Sequence, residues 1–550
     1  MGEEQTGFRS GYSTCDHVFA LDMLVKLYLN KGKKLYTAFI DYKKAFDSIN
    51  RALLWQKLFA NNIGGKFLNI VINMYKSAKS RIKLGNKLSV NHFLCNIGVR
   101  QGENLSSVLF ALFLNDLQDH LARSYEGLTC LSNIASELLS DDDVEVFFKL
   151  YILLYADDTI VLAETAISLQ MALNSMYEYC ETWKLRVNPE KCKIVIFSRG
   201  RCRNNPVFVY DGRPIEVVDE FVYLGVKFSY NGAFKKADLY ASQQAQKSMF
   251  SLISKSRALN LDLDIQIDLF DKIVQPVALY GSEVWGAYES KIVSRTQLKY
   301  LKQILRLKKC TSTNMVLGET GKLPLDTIIR SRVLNFWYKI VTNVNRFKLT
   351  VVLYRILYKL DIAGSYTYPW IEYVRKSLNE LGLSFYWLRQ DSLDLKGFTS
   401  FKKAVKLRIA DQFKNKWHEE VFTSRNCTIY RVFKQEIRLE AFLKVLPKNL
   451  ALKMLKFRCR NTRFPVVTEN YVNEPVANAK CNKCDKGMLC DELHLFLECD
   501  SFCNDRFLYL GKRSFNQFNT QVFAKLLTDN DPRRLVKLAK FMSVIMSAFK

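Results

Sequence analysis

At 550 residues the chain is too long for a single core, and its 49% hydrophobic and 13% aromatic content excludes a disordered protein. A net charge of +27, from 81 Lys and Arg against 54 Asp and Glu, destabilises a compact state unless a polyanion is bound. Nucleic acid is therefore the leading partner and an anionic membrane surface the second.

No apolar run approaches the roughly 18–20 residues of a membrane span, and the start lacks the basic-then-apolar pattern of a signal peptide. The 14 Cys are mostly scattered singly, as reduced thiols are. The expected compartment is the nucleus or cytoplasm, with no secretion and no membrane partner.

The chain opens with a polar loop to Ser13, where Ser13 or Thr14 caps an apolar-periodic helix through Val18, Leu21, Leu24, Val25 and Tyr28. A β run from Leu35 ends in Asp41 and is followed by Tyr42-Lys-Lys-Ala-Phe46-Asp47. Two helices are predicted near 51–61 and 66–78, then a hairpin with a Gly85-Asn86 turn. Gly98-Val-Arg-Gln-Gly102 is a glycine-flanked loop carrying a cation and an amide, by itself a weak anion-binding signal. It leads into an apolar helix over Leu105 to Leu121. Residues 124–149 have no periodicity and read as an exposed insertion.

Two short β-prone runs between Tyr151 and Glu164 then flank Asp157 and Asp158, which predicts a hairpin with adjacent carboxylates at its tip. Such carboxylates repel, and in a half-buried hairpin one must protonate or find a cation. Mg²⁺ meets that need, because it takes hard oxygen donors and shares its shell with substrate phosphates. An isolated Asp-Asp is more often an ordinary surface turn.

A helix follows over about 166–185, then Asn188-Pro-Glu-Lys191 entering the strand Ile194 to Phe197, and short strands through Tyr223-Leu224-Gly225 to Phe228. This order predicts an α+β fold, a small antiparallel sheet with helices on one face. From about 234 onward the pattern is almost wholly helical.

Between Lys402 and Arg463, 17 Lys or Arg stand against 5 Asp or Glu, interleaved with Trp417, Tyr430, Phe433, Phe442 and Phe457. Aromatics at helical spacing are more often core than base-stacking platforms, but the charge fits a surface that tracks phosphates. Near the end, Cys481, Cys484, His494 and Cys499 have the spacing of a tetrahedral structural Zn²⁺ site, with Cys490 and Cys503 near enough to compete. Unpaired reduced thiols are the alternative.

Taken together, Phe39-Ile-Asp41-x4-Phe46-Asp47, Gly98-Val-Arg-Gln-Gly102, Tyr155-Ala-Asp157-Asp158 and Asn188-x2-Lys191 stand in a telling order. Preceded by Gln5-x-Gly-Phe-Arg9-x3-Ser-Thr14 and followed by Tyr223-Leu-Gly225, they closely resemble the reverse transcriptase of non-LTR (LINE-type) retrotransposons over about residues 3–290. The Cys-Cys-His-Cys cluster is similar to one near the C-terminus of many such elements.

The resemblance implies an RNA-directed DNA polymerase: a nucleotidyltransferase that uses Mg²⁺ or Mn²⁺, an RNA template, a DNA primer or target and deoxynucleoside triphosphates, with a structural Zn²⁺. Asp41 and Asp157 would hold the two metals and Asp158 would support them. Lys191 is then a candidate general acid, though a plain surface Lys is nearly as good a reading. Phe46 would exclude a 2′-hydroxyl, or simply pack in the core. Arg9, Arg100, Gln101 and Gly102 would meet nucleotide or template, Arg100 through a phosphate or a structural contact. Tyr223, Leu224 and Gly225 would grip the primer.

It further implies a remnant of fingers over 1–34, a right-hand palm over 35–230 and a helical thumb over 231–345. A basic helical region over 346–470, a zinc module over 471–510 and a helical tail over 511–550 would follow. Two departures stand out. Glu103-Asn-Leu-Ser-Ser107 replaces the family's Cys-Pro-Leu-Ser-Pro, and the family's upstream fingers strands have no counterpart, as expected of an N-terminally truncated copy. An inactive nucleic-acid-binding relic or co-opted scaffold is the alternative function.

Overall fold

The computed structural model describes residues 2–129, 150–465, 479–512 and 520–549, apart from residues 77, 203, 289, 365 and 367. The expected insertion at 124–149 falls mostly outside the described residues.

Helix Thr14–Asn30 opens the fold, with Ser13 as its N-cap and Asp16 completing a capping box through a 2.7 Å bond from the Ser13 N–H. Strand β1 (Leu35–Ile40) follows, then helices Arg51–Ala60 and Gly65–Lys76. Two short ladders come next: β2 (Lys79–Ser80) pairs with β5 (Phe93–Leu94), and β3 (Lys83–Leu84) with β4 (Lys87–Leu88) around the Gly85-Asn86 turn.

The expected single helix over 105–121 is instead two, Asn104–Phe113 and Leu117–Leu121. Asp116 lies between them, and its carboxylate receives the buried ammonium of Lys57, which also sits 3.7 Å over the Trp183 ring. The break lets a polar group inside an apolar run reach its cation.

Strands β6 (Ile152–Tyr155) and β7 (Asp158–Ala163) form the hairpin, and helix Ala166–Trp183 leads to β8 (Lys193–Phe197), β9 (Phe208–Tyr210) and β10 (Arg213–Val217). These make one six-stranded sheet in the order β6-β7-β1-β8-β10-β9, antiparallel except between β8 and β10. A separate hairpin of β11 (Glu220–Tyr223) and β12 (Val226–Ser229) packs on it, with Phe221 stacked 4.2 Å from Phe39.

Helices cover both faces of the sheet, not one. Ala38, Ile40, Val161, Ala163, Ile194 and Ile196 pack with helices Asn104–Phe113 and Ala166–Trp183. The alternate residues Leu35, Phe39, Ile160, Leu162, Val195 and Phe197 pack with helix Thr14–Asn30 and the β11–β12 hairpin. A strand as continuously apolar as Leu35 to Ile40 cannot leave either side in water, which is why one-sided covering fails here.

Downstream of Ser229 the described residues are helical, from Lys235–Ala258 to Pro532–Ser547. Trp417, Tyr430, Phe433, Phe442 and Phe457 are all buried, so these five aromatics are core. At the centre of that core, fully buried Arg458 donates to both oxygens of Glu319 at 2.8 and 2.9 Å and to the Leu527 carbonyl at 2.6 Å, between the rings of Phe433 and Phe442. No described helix is long and apolar enough to cross a membrane.

Candidate active site

The register of β1 against β7 ends with Ile40 opposite Thr159. Asp41 therefore leaves the strand beside the turn that carries Asp157 and Asp158. Tyr155 pairs with Asp158, so Ala156 and Asp157 alone make the turn, with Ala156 in the left-handed region at φ 59°. The three carboxylates feel one another. Burial first, then Asp41, raises Asp157 above the usual carboxylate range, and burial followed by Asp157 and Asp41 pushes Asp158 up to about 6.

Asn188 and Lys191 come to the same place. The Asn188 N–H donates to the Asp41 carbonyl at 2.8 Å, the Asp41 N–H donates to the Cys192 sulfur at 3.3 Å, and Lys191 Nζ lies 3.9 Å from Asp41 Oδ2. Among the described ion pairs, only Lys191 meets any of the three acids. Asp157 and Asp158 are thus partly desolvated and take part in no described ion pair.

Phe46 is half-buried, its ring stacked 4.9 Å from Phe110 and its carbonyl taking the Val99 N–H at 2.8 Å. Gln101 reaches across to Asp47 Oδ2 at 3.2 Å, which ties the glycine-flanked loop to the segment after Asp41. Gly102 has φ 87° and open space where a Cβ would stand. Arg100 is exposed and pairs with Glu103 at 2.8 Å, so the acid that departs from the family pattern is matched by its neighbour. Arg9 faces inward to its own loop, donating to the Gly2 and Gln5 carbonyls at 2.6 and 2.9 Å and pairing with Glu3 at 3.3 Å.

Tyr223 is buried and hydrogen-bonded to His17 at 3.0 Å, while Leu224 and Gly225 form the β11–β12 turn with φ values of 43° and 77°. A Cβ on Gly225 would stand 2.7 Å from the Tyr280 ring, so this turn tolerates only glycine.

Sequence reasoning gave no role to four residues. Gln5, fully buried, accepts the Ala156 N–H at 3.2 Å and the Gly7 N–H at 3.0 Å. Gly7 lies so close to the carboxylate turn that a Cβ there would be 2.3 Å from Ala156 N. His17, held neutral because burial pushes it down to about 3, also packs edge-on against Tyr155 at 5.9 Å. The Gln5-x-Gly-Phe run was a visible signal, but nothing local says that it pairs with a hairpin 150 positions away. Arg51 is a fourth such case, bracing the glycine-flanked loop through the Gly98 and Ile97 carbonyls at 2.8 and 3.3 Å.

Far along the chain, Cys481, Cys484, His494 and Cys499 bring their ligand atoms within 4.8 Å of one another, and this group could hold a metal ion. The Cys481 and Cys499 sulfurs are 3.9 Å apart, close to the ~3.8 Å edge of a tetrahedron with metal–sulfur bonds of about 2.3 Å. His494 turns Nε2 toward Cys484 at 3.3 Å, and its helix starts at Asp491, which takes the His494 N–H at 2.8 Å. Cys490 and Cys503 are not in the group.

Residues 1–228 match the family model described as reverse transcriptase (RNA-dependent DNA polymerase). The chain is 28% identical over 231 residues to the Retrovirus-related Pol polyprotein from type-1 retrotransposable element R2 of Popillia japonica, a match covering 40% of this chain and 35% of that protein. It is 24% identical over 313 residues to the RNA-directed DNA polymerase from mobile element jockey of Drosophila melanogaster, covering 55% and 31%. The aligned parts thus span about a third of the length of these relatives. Residues 1–228, which contribute all three carboxylates, thus match a reverse-transcriptase model, and the chain is similar to the proteins of the retrotransposable element R2 and the mobile element jockey.

Proposed function

We propose that the chain is an RNA-directed DNA polymerase of non-LTR retrotransposon type, extending a DNA primer on an RNA template with deoxynucleoside triphosphates in the nucleus or cytoplasm. One observation carries the reading: the β1–β7 register ends at Ile40 opposite Thr159, so Asp41 follows at the end of the sheet where Asp157 and Asp158 stand, with Lys191 Nζ 3.9 Å from Asp41. Residues 35–230 would be the palm, 231–345 the thumb, 346–470 a basic helical region, 471–510 a module built on Zn²⁺ and 511–550 a helical tail.

Asp41 and Asp157 would hold two divalent ions, Mg²⁺ or Mn²⁺, which when bound lower the pKa of a primer hydroxyl and neutralise charge on departing pyrophosphate. Asp158 adds negative charge beside them. Lys191, exposed and within 3.9 Å of Asp41, can protonate the pyrophosphate as it leaves. Phe46 cannot yield to a 2′-hydroxyl without disturbing its stack on Phe110, which favours deoxynucleotides. The Leu224-Gly225 turn would meet the primer, with Gln101 and Gly102 beside the template.

A second reading, an inactive binder of nucleic acid, is favoured by the engagement of Arg9 with its own loop and of Arg100 with Glu103. Primer extension on an RNA template with Mg²⁺, comparing the parent with Asp157→Asn, decides between them. Extension lost in the variant supports the polymerase. No extension from the parent, with salt-sensitive RNA binding intact, supports the binder.

A further inference from the structure

A cavity of 1120 Å³ opens between the 9–16 loop and helix Leu325–Val341, with Phe398 and Lys402 also in its wall. The lining loop follows directly on Gly7 and Phe8, which pack against Ala156 and Tyr155 of the carboxylate turn. The cavity exceeds the roughly 300–1,000 Å³ of a small-molecule pocket, so a length of polymer suits it better than a metabolite.

Its chemistry narrows the choice. Both lining acids are neutralised from within the wall: Asp16 pairs with Lys348 at 2.9 Å, both nearly buried, and Glu283 with Arg332 at 2.6 Å. Among the described lining residues no unpaired carboxylate remains to attract a cation. Lys339 and Lys402 are exposed and join no described ion pair. The rest is mixed: Ile328, Phe336, Ile340 and Val344 give apolar wall, with hydroxyls and amides such as Ser331, Thr342 and Asn343 among them. A ligand that fits brings anions spaced along its length and donors such as ribose hydroxyls or base amino groups.

We infer that this cleft holds a single-stranded stretch of polynucleotide near the Asp157 turn, Lys339 and Lys402 meeting its phosphates while the apolar and amide wall takes sugars and bases. The inference rests on the nucleic-acid reading above, and adds where the unpaired strand lies.

The test uses the full chain and primer–template duplexes with single-stranded RNA overhangs shorter than about 4 or longer than about 16 nucleotides, the range of single-strand site sizes. The parent binds the long overhang at least tenfold more tightly. In Lys339→Gln/Lys402→Gln that advantage shrinks, and the slope of log affinity against log salt falls by about 1.4, the value for two phosphate contacts on a single strand. Lys339→Glu/Lys402→Glu abolishes the advantage at unchanged melting temperature. Variants that keep both the advantage and the slope overturn the inference. If no primer is extended by the parent yet the slope changes as stated, the polymerase reading falls while the cleft stands. Normal extension with unchanged binding has the opposite meaning.

Discussion

The side-chain carbonyl of Gln5 accepts the backbone N–H of Ala156 at 3.2 Å, so a residue at the start of the chain fixes the turn that presents Asp157. Around it, the Thr6 N–H donates to the Leu154 carbonyl at 3.0 Å and the Leu154 N–H to the Glu4 carbonyl at 2.9 Å, adding a short parallel segment to the free edge of β6. Gln5→Ala leaves two buried N–H groups without an acceptor, at a cost of about 1–3 kcal/mol each at most. Primer extension by Gln5→Ala should fall at least tenfold with duplex affinity retained. A variant that extends normally would show that the turn holds itself.

The Asp158 carboxyl, pushed up to about 6, is the source of a pH effect with a definite sign. The folded state binds more protons than the unfolded chain between about pH 4 and pH 6, so ionisation of this group weakens the fold as pH rises through that window. Because the side chain reaches solvent, the effect is on the order of 1 kcal/mol. Without divalent ions, Asp158→Asn should melt higher than the parent at pH 7 and together with it at pH 4. Adding Mg²⁺ at pH 7 should narrow the gap. Identical melting of the two proteins at both pH values would remove the strain assigned to this acid.

At the Cys-His cluster, purified parent should carry one equivalent of Zn²⁺, and Cys481→Ser or His494→Ala should lose it and melt lower. Cys490→Ser, whose sulfur is outside the group, should keep the metal. Equal metal content in parent and His494→Ala would take the imidazole off the ligand set.

Arg458 tests the downstream core. Replacing it with Ala strands Glu319 in the interior, while Glu440 keeps Lys434, and removing one member of a buried pair costs about 3–5 kcal/mol. Urea unfolding should register that loss, and Arg458→Ala/Glu319→Ala should be less damaging than the sum of the single changes. Additive losses would mean that the two do not act as a pair.

The elements around Asp41 and Asp157 were legible because they are local: short apolar, β-prone runs, an N-cap Ser, a two-residue turn. Motif order put Asp41 and Lys191 in one neighbourhood, where they stand 3.9 Å apart, and spacing grouped the four Cys and His residues that could hold a metal. The second covered face was not legible, since Leu35 to Ile40 announces burial on two sides without naming what lies there. Nor was the loop of Arg9, whose guanidinium turns to carbonyls a few residues away; a basic residue's free partners cannot be counted from a string of letters. Gln5 and His17 act across 151 and 206 positions, contacts that only the assembled chain reveals.

The Arg458 guanidinium has a consequence for biosynthesis. One of its acceptors, the Leu527 carbonyl, belongs to a segment synthesised well after Glu319 and Glu440. This buried network therefore stays unfinished until residue 527 has been made, and a chain terminated before that carbonyl would expose an unclosed interior to cellular quality control.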